Sequence, residues 1–483
     1  MTQNSIKKNA LLNVIYTIIN LVFPLITYPY VARVLSTTGM GKVSFFTSIS
    51  NYAVMVGSLG ISTYGIRAVA NARDDEKRLS KVTSELLILN LIITLIVVVF
   101  LFGSFFFVDK FATEPVLFVI NIAIILSTPF GLSWFYSGLE QYEYITKRTI
   151  IFKAVSVFLV FSFVKSREDY PVYAGITAFS MIGAYLCNLL YSTKFTRIKI
   201  DSSLEFKKHF KPMLLLFASI LAVSVYTNLD TVMLGFINGD RDVGLYSVAS
   251  KSRWLLLAAV NAISAVLLPR LSNYFSNQNY EAYYKTLKKS VSFIFLITIP
   301  LSIFFIIEAS DVIYILGGKD YSDAIGCMQI LMPILIISGF SNVTGNQVLI
   351  PQGKDSCFMR AVVVGAGIDV VLNVALMPSL GCVGAAIATL FAELSQMSIQ
   401  LYYAKADIQK NIQPKTIIKA FLAAIVPALF IIFTSTLLIL NPIVSLIVRG
   451  FFFFALYSLL LYLSKESYFI ELISLVVNRI KRV

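Results

Sequence analysis

Fourteen stretches of about twenty apolar residues follow one another along nearly the whole chain, and the polar positions between them are short and basic in every second connection. A hydrocarbon layer of about 30 Å needs about 20 helical residues to cross it and forces each backbone hydrogen bond to close inside its own segment, so runs this long predict membrane-spanning helices. The predicted spans are 10–32, 43–66, 84–108, 115–137, 149–165, 172–193, 212–237, 245–268, 290–316, 324–350, 361–377, 381–404, 416–440 and 443–463. The fold class this implies is an all-α polytopic membrane protein of about 14 transmembrane helices.

Basic residues in short connections are retained on the cytoplasmic side. One set of connections holds Lys7 and Lys8, Arg67 to Lys81, Lys147 and Arg148, Lys194 to Lys211, Arg270 to Lys289, Lys354 and Arg360, Lys405 to Lys419, and Lys465 to Arg482. The other set holds roughly a third as many Lys and Arg, which predicts that both termini are cytoplasmic. The formal charge of +14 is then mostly this bias, with anionic lipid of the inner leaflet as the partner and no nucleic acid. The first span is too long for a signal-peptide core and is expected to be retained.

Composition supports the membrane reading, with 57% hydrophobic and 14% charged residues and a mean hydropathy of +0.79. Four dispersed cysteines and a single histidine, His209, leave too few ligands for a His/Cys metal site and no basis for a His-based triad. No phosphate-binding G-x-x-x-x-G-K-[ST] loop is present, so ATP is not expected as the direct energy source. The short outer connections leave no room for a glycosyl-transfer or hydrolytic domain, which predicts a carrier and not an enzyme.

The chain also repeats. Gly41-Lys42-Val43-Ser44-Phe45-Phe46 at the start of the second span resembles Val243-Gly244-Leu245-Tyr246-Ser247-Val248 at the start of the eighth, and Leu139 to Arg148 matches Pro351 to Arg360. Offsets six spans apart predict two parallel-related six-helix lobes, with the site between them. The expected organisation is 1–193 as an N-lobe, 194–211 as a cytoplasmic linker, 212–404 as a C-lobe, 405–463 as two additional spans and 464–483 as a cytoplasmic amphipathic tail.

Polar residues inside the spans carry the candidate chemistry, because a mid-bilayer charge costs about 2.5 to 3.5 kcal/mol and usually faces a cavity. Substrate-binding candidates are Lys251, Arg253, Lys153, Arg67, Arg33, Asn51, Asn228 and Asn346, and ion-coupling candidates are Asp230, Asp369 and Glu393. Each also has a plainer reading: the long basic side chains can snorkel to head-groups, the amides can join helices, and the carboxylates can pair with a basic neighbour. Cations, amides and tyrosines together suit a substrate anionic at one point and hydroxyl-rich elsewhere, such as a sugar on a phosphate. Unpaired carboxylates would suit an organic cation.

Pro24-Leu25-Ile26-Thr27-Tyr28-Pro29-Tyr30-Val31-Ala32-Arg33-Val34-Leu35, then Gly60-Ile61-Ser62-Thr63-Tyr64-Gly65-Ile66-Arg67, resembles the opening of Wzx-type polysaccharide repeat-unit flippases of the multidrug/oligosaccharidyl-lipid/polysaccharide exporter superfamily. Asn228-Leu229-Asp230-Thr231-Val232-Met233-Leu234-Gly235, Leu268-Pro269-Arg270-Leu271-Ser272 and Gly381 to Glu393 extend the resemblance through the chain. It implies a V-shaped pair of six-helix bundles and transfer of undecaprenyl-diphosphate-linked oligosaccharide across a bacterial cytoplasmic membrane, for capsule or O-antigen, by alternating access. Polysaccharide polymerase machinery is an expected partner. The related lipid II flippases hold the diphosphate on basic residues, one of which matches Lys251, whereas the middles of spans one and two offer no match. Coupling is open between a proton gradient, a Na⁺ gradient and the membrane potential, with no bound cofactor. The alternative on the same fold is a cation-coupled multidrug exporter.

Overall fold

In a computed structural model the described residues are 3–198, 204–437 and 441–480, and every regular element among them is helical. By packing the chain divides into two units, Met1–Gly244 and Leu245–Val483. Among the described residues eight helices are long and apolar enough to cross a membrane, and a bent pair, Phe23–Ser58 with Ile61–Ala70, makes nine. Each of the predicted spans falls mainly on helix where the structure describes it, but several are broken or fused, and 105–108 and 164–165 lie beyond the ends of their helices.

The first unit contains α1 (Gln3–Ser58), α2 (Ile61–Ala70), α3 (Glu76–Ser104), α4 (Asp109–Ala112), α5 (Pro115–Ser127), α6 (Ser133–Gly138), α7 (Tyr142–Phe163), α8 (Tyr170–Ser192) and α9 (Lys207–Ile237). Spans one and two share α1, whose helical geometry breaks at Ser36 (φ 59°, ψ −177°) in place of the expected connecting loop. Span two also differs from its prediction, because it ends at Ser58 and resumes as α2 with a bend of 41°. Leu59 and Gly60 both have positive φ there, and a Cβ on Gly60 would lie 2.6 Å from the Met213 carbonyl oxygen, so α9 presses where only glycine fits.

Helix α2 buries Ile61, Gly65 and Val69, one face at i, i+4 and i+8, and turns Arg67 outward. Gly65 meets the Trp134 indole and Gly138 meets Val69, so α2 and α6 approach closely. Ile61, Leu79, Leu86, Phe135, Tyr136 and Met213 complete this core and fix the first turns of α3 and α9 beside α2. Asp75 caps α3 by accepting from the backbone N–H groups of Lys77 (2.9 Å) and Arg78 (3.1 Å), a cap worth about 1 kcal/mol.

At the end of this unit that the charge pattern assigns to the outside, the start of α10 (Asp240–Ser276) locks onto α1. A Cβ on Gly41 would lie 1.7 Å from the Asp240 carbonyl oxygen, and one on Gly244 would lie 2.0 Å from that of Thr37. Lys110 pairs with Asp240 at 2.8 Å and lies 4.6 Å above the Phe45 ring, and Lys42 pairs with Glu114.

The second unit holds the rest of α10 with α11 (Tyr280–Ile307), α12 (Ala309–Gly317), α13 (Ala324–Leu331), α14 (Ile334–Asn342), α15 (Asp355–Asn411), α16 (Pro414–Leu437), α17 (Pro442–Leu463) and α18 (Ser467–Ile480). Ala420, Ala424 and Ala428 form a small-residue face on α16 in the core around Tyr283, Leu287, Ile294 and Ile299 of α11. Arg449 of α17 reaches Glu308 at 3.4 Å and Asp311 at 3.7 Å where α11 gives way to α12. Span ten passes from α14 into a π-helical turn, Val343–Leu349. Spans eleven and twelve share the 57-residue α15, which breaks at Gly381 (φ 53°) and folds back on itself, so that Gly384 meets Leu376 and Gly365 meets Ala392 and Gln396.

Apolar side chains cover much of both surfaces. Val99, Phe100 and Phe107 in and beyond α3, and Ile447 and Phe451 on α17, are each about two-thirds exposed or more, an arrangement at home against lipid and costly in water.

Candidate cationic headgroup site

A cavity of about 820 Å³ opens in the first unit among α2, the start of α3 and the start of α9. Its wall carries Arg67 from α2, Arg78 and Lys81 from α3, and Lys208, His209 and Lys211 from α9, together with Tyr64. Among the described residues none that lines it carries a carboxylate. On α3 the spacing 78, 81, 82 and 85 places Arg78, Lys81, Val82 and Glu85 along one face, so helical geometry alone aims these cations at the same space.

Behind the wall stands Glu85, whose side chain is 0% exposed. Its carboxylate accepts from His209 Nε2 at 2.7 Å, from the Glu205 backbone N–H at 2.8 Å, and from Lys208 Nζ at 3.0 Å to one oxygen and 3.2 Å to the other. His209 Nδ1 lies 2.8 Å from the Tyr64 hydroxyl, so both ring nitrogens have a hydrogen-bond partner. A buried carboxylate needs such partners, since an uncompensated one would cost several kcal/mol. One carboxylate therefore ties the first turn of α9 to α3 and α2.

Glu205 is different, with 66% of its side chain exposed. It reaches Lys208 at 3.2 Å and Lys81 at 3.7 Å. The hydrogen bond from Lys208, and the charges of Lys81 and Lys208, hold its carboxyl below the usual range. Burial alone would lower the Lys208 ammonium, but its bonds to Glu85 and Glu205 outweigh this and raise it. Arg67, Arg78 and Lys211 have no ion-pair partner among the described residues, so the cavity has three cations to offer a ligand before any internal pair is broken.

The second unit carries a polar seam. The antiparallel limbs of α15 bury Asp369 and Asn373 on one side and Glu393 and Gln400 on the other. Arg253 of α10 lies 4.0 Å from Glu393, and both side chains are 7% exposed. Gln400 Oε1 accepts from Ser341 Oγ at 2.9 Å and Thr344 Oγ1 at 2.8 Å, and the Tyr246 and Thr389 hydroxyls meet at 3.0 Å.

The residues singled out by sequence thus separate. Arg67 lines the cationic cavity. Arg33 is exposed on α1 just before the Ser36 break, a limb of roughly 30 Å away from Arg67, so the two do not share a ligand. Asn51 is exposed on that limb and Lys153 half-buried on α7. Lys251 is half-buried and Arg253 buried, and at two residues apart on one helix they face different directions. Asn346 donates to Asn342, which donates to Asn261, an amide chain between α10 and the π turn. Asp230 is buried on α9 and belongs to the first unit, whereas Asp369 and Glu393 belong to the second. The Asn228 side chain lies outside the described residues.

Arg78, Lys81, Lys208 and Lys211 drew notice in the sequence only as charges that set orientation, and His209 only as a lone histidine. The legible signal was Glu85, a carboxylate at the start of an apolar run with its cations one turn back on the same face.

The model of a family described as "Polysaccharide biosynthesis protein" matches residues 6–275, and that of "Lipid II flippase MurJ" matches 254–458. A putative O-antigen transporter of Escherichia coli K12 is 23% identical over 408 residues, which are 83% of this chain and 98% of the relative. Among solved structures, the lipid II flippase MurJ in an inward closed conformation is similar with a TM-score of 0.75 at 15% identity, over 94% of this chain and 97% of that one. An inward-facing multidrug resistance MATE family transporter of the MOP superfamily is similar at 0.60 and 13% identity, over 82% and 95%. At these identities the two structures speak for the fold alone.

Proposed function

Because this chain belongs to the polysaccharide biosynthesis protein family, in the Wzx-type branch of the MOP superfamily, we propose that it is a flippase for lipid-linked oligosaccharide repeat units of a surface polysaccharide. The observation that carries this reading is the cationic cavity: among the described residues the wall enclosing its volume of about 820 Å³ holds five Lys and Arg side chains and no carboxylate. A phosphate-bearing headgroup gains charge-assisted hydrogen bonds there, whereas an organic cation is repelled. That electrostatic sign favours the oligosaccharide flippase over the multidrug exporter.

The finer reading is that the carrier lipid is undecaprenyl diphosphate and the membrane a bacterial cytoplasmic one, with both termini inside. The diphosphate is taken up from the cytoplasmic leaflet by the cations of the cavity, the lipid tail stays in the bilayer, and the sugars are released on the other side by alternating access. A headgroup of about two negative charges leaving an inside-negative cell moves downhill by about 4.6 kcal/mol per 100 mV, so the membrane potential suffices as the driving force. Were a proton or Na⁺ exchanged instead, Asp230, Asp369 and Glu393 would be its carriers, and collapse of the potential at a constant ion gradient would leave the rate unchanged.

The test of function class uses proteoliposomes containing a fluorescent polyprenyl-diphosphate oligosaccharide, with leaflet accessibility as the readout and efflux of a cationic dye measured in parallel. Lipid transfer without dye efflux is expected. Dye efflux without lipid transfer would assign the chain to the exporter class.

A further inference from the structure

Two carboxylates share Lys208, and the structure gives them opposite situations. Glu85 is fully buried, bonded to the backbone of Glu205 and to His209, and is part of the framework of the site. Glu205 is two-thirds exposed, stands just ahead of α9, and neutralises Lys81 and Lys208 at the cavity wall, its side chain having no other partner among the described residues. A dianionic ligand needs those same two ammonium groups. We propose that Glu205 is an internal stand-in for the ligand: it occupies Lys81 and Lys208 while the cavity is empty, and a diphosphate headgroup displaces it.

This rests on the proposed function, since it assumes that the cavity takes a phosphate. It assigns distinct parts to neighbouring residues. Arg67, Arg78 and Lys211 are the standing attraction, Lys81 and Lys208 are transferred from Glu205 to the incoming phosphates, and Glu85 stays in place holding His209 and the first turn of α9. Loading therefore frees the Glu205 side chain from the two lysines, while its backbone N–H stays on Glu85 and α9 stays tied to α3. The stand-in also keeps stray anions out, because a monovalent one recovers less from the two lysines than Glu205 gives up, whereas a diphosphate bridges both.

A purely electrostatic cavity would bind an anion more tightly whichever carboxylate were removed. The stand-in account predicts opposite signs. Binding of inorganic pyrophosphate to the purified full chain is measured by calorimetry for wild type, Glu205→Gln, Glu85→Gln and Arg67→Ala. Removal of an exposed ion pair that competes with the ligand tightens binding by about two- to fivefold, so Glu205→Gln is expected to bind more strongly. Glu85→Gln loosens Lys208 and His209 and is expected to bind more weakly. Tighter binding by Glu205→Gln together with weaker binding by Glu85→Gln supports the stand-in; because Glu205 is exposed, its arm alone can still overturn the proposal if Glu85→Gln is lost to misfolding. Unchanged or weaker binding by Glu205→Gln, with Arg67→Ala weakened, overturns the stand-in and leaves the flippase reading standing. Absence of binding in wild type and Glu205→Gln alike overturns the phosphate site itself. Competition in nanodiscs separates the sources: displacement of pyrophosphate by polyprenyl diphosphate supports the proposal, and equal displacement by phosphatidylglycerol overturns it.

Discussion

Gly41→Ala adds one methyl group where α1 and the start of α10 meet backbone to backbone. The new Cβ would stand 1.7 Å from the Asp240 carbonyl oxygen and 3.0 Å from the Gly244 nitrogen. Carbon and carbonyl oxygen rest at about 3.3 Å, so the start of α10 must withdraw from α1 by about 1.5 Å. The atom it meets is backbone, so no rotamer change relieves it. Withdrawal also strains the Lys110 to Asp240 pair, and overpacking of this kind costs about 1–3 kcal/mol. Gly244→Ala should act alike, since its Cβ would stand 2.0 Å from the Thr37 oxygen across the same joint. Each variant opens the joint for the other, so the double variant should cost less than the sum. Chemical denaturation in detergent micelles measures all three, with hydrogen exchange at residues 238–244 reporting the opening. Single variants within about 0.5 kcal/mol of wild type, the ordinary range for surface changes, or costs that simply add, would refute the reasoning.

Arg253→Met removes a buried cation set 4.0 Å from Glu393 without a hydrogen bond between them and should cost about 1–3 kcal/mol, part of it regained in Arg253→Met with Glu393→Leu; a denaturation cycle that finds no coupling between the two contradicts the pairing. Gln400→Leu removes the acceptor shared by Ser341 and Thr344 and should cost about 1–3 kcal/mol, visible as faster hydrogen exchange across 343–349; unchanged exchange would remove Gln400 as support of the π turn. Arg67→Ala and Lys211→Ala should each weaken pyrophosphate binding about tenfold at low salt and make it less sensitive to KCl, the pattern expected of charge-assisted hydrogen bonds. An Arg67→Ala affinity equal to wild type would take α2 out of the site.

The membrane-spanning character was legible because length and hydropathy are additive along a chain, and a bilayer reads them the same way. What the apolar pattern could not show was where helices break. Span two is interrupted at Leu59–Gly60 because α9, more than 150 positions away in sequence, presses on that point, and no local residue announces this. Spans eleven and twelve were separable at Gly381, where glycine takes a positive φ, yet helix resumes at once and the connection is a single sharp break. For the site, Arg67 was recognisable as a cation at a span end. Its companions were hidden by their number: in a protein that concentrates Lys and Arg in alternate connections, cations that orient the chain and cations that bind a ligand look identical until the fold sorts them. Arg78, Lys81, Lys208 and Lys211 separate from the rest only because α2, α3 and α9 meet around a buried Glu85.

The central claim is that a phosphate-bearing headgroup is carried by way of the cationic cavity, and the most direct measurement is the transfer rate of two oligosaccharide lipids that differ only in charge. In proteoliposomes, a fluorescent polyprenyl-diphosphate oligosaccharide should cross many times faster than the same oligosaccharide on an uncharged polyprenyl ether, and Arg67→Glu with Lys211→Glu should erase the difference. Equal rates for the two lipids in the wild-type protein would contradict the account.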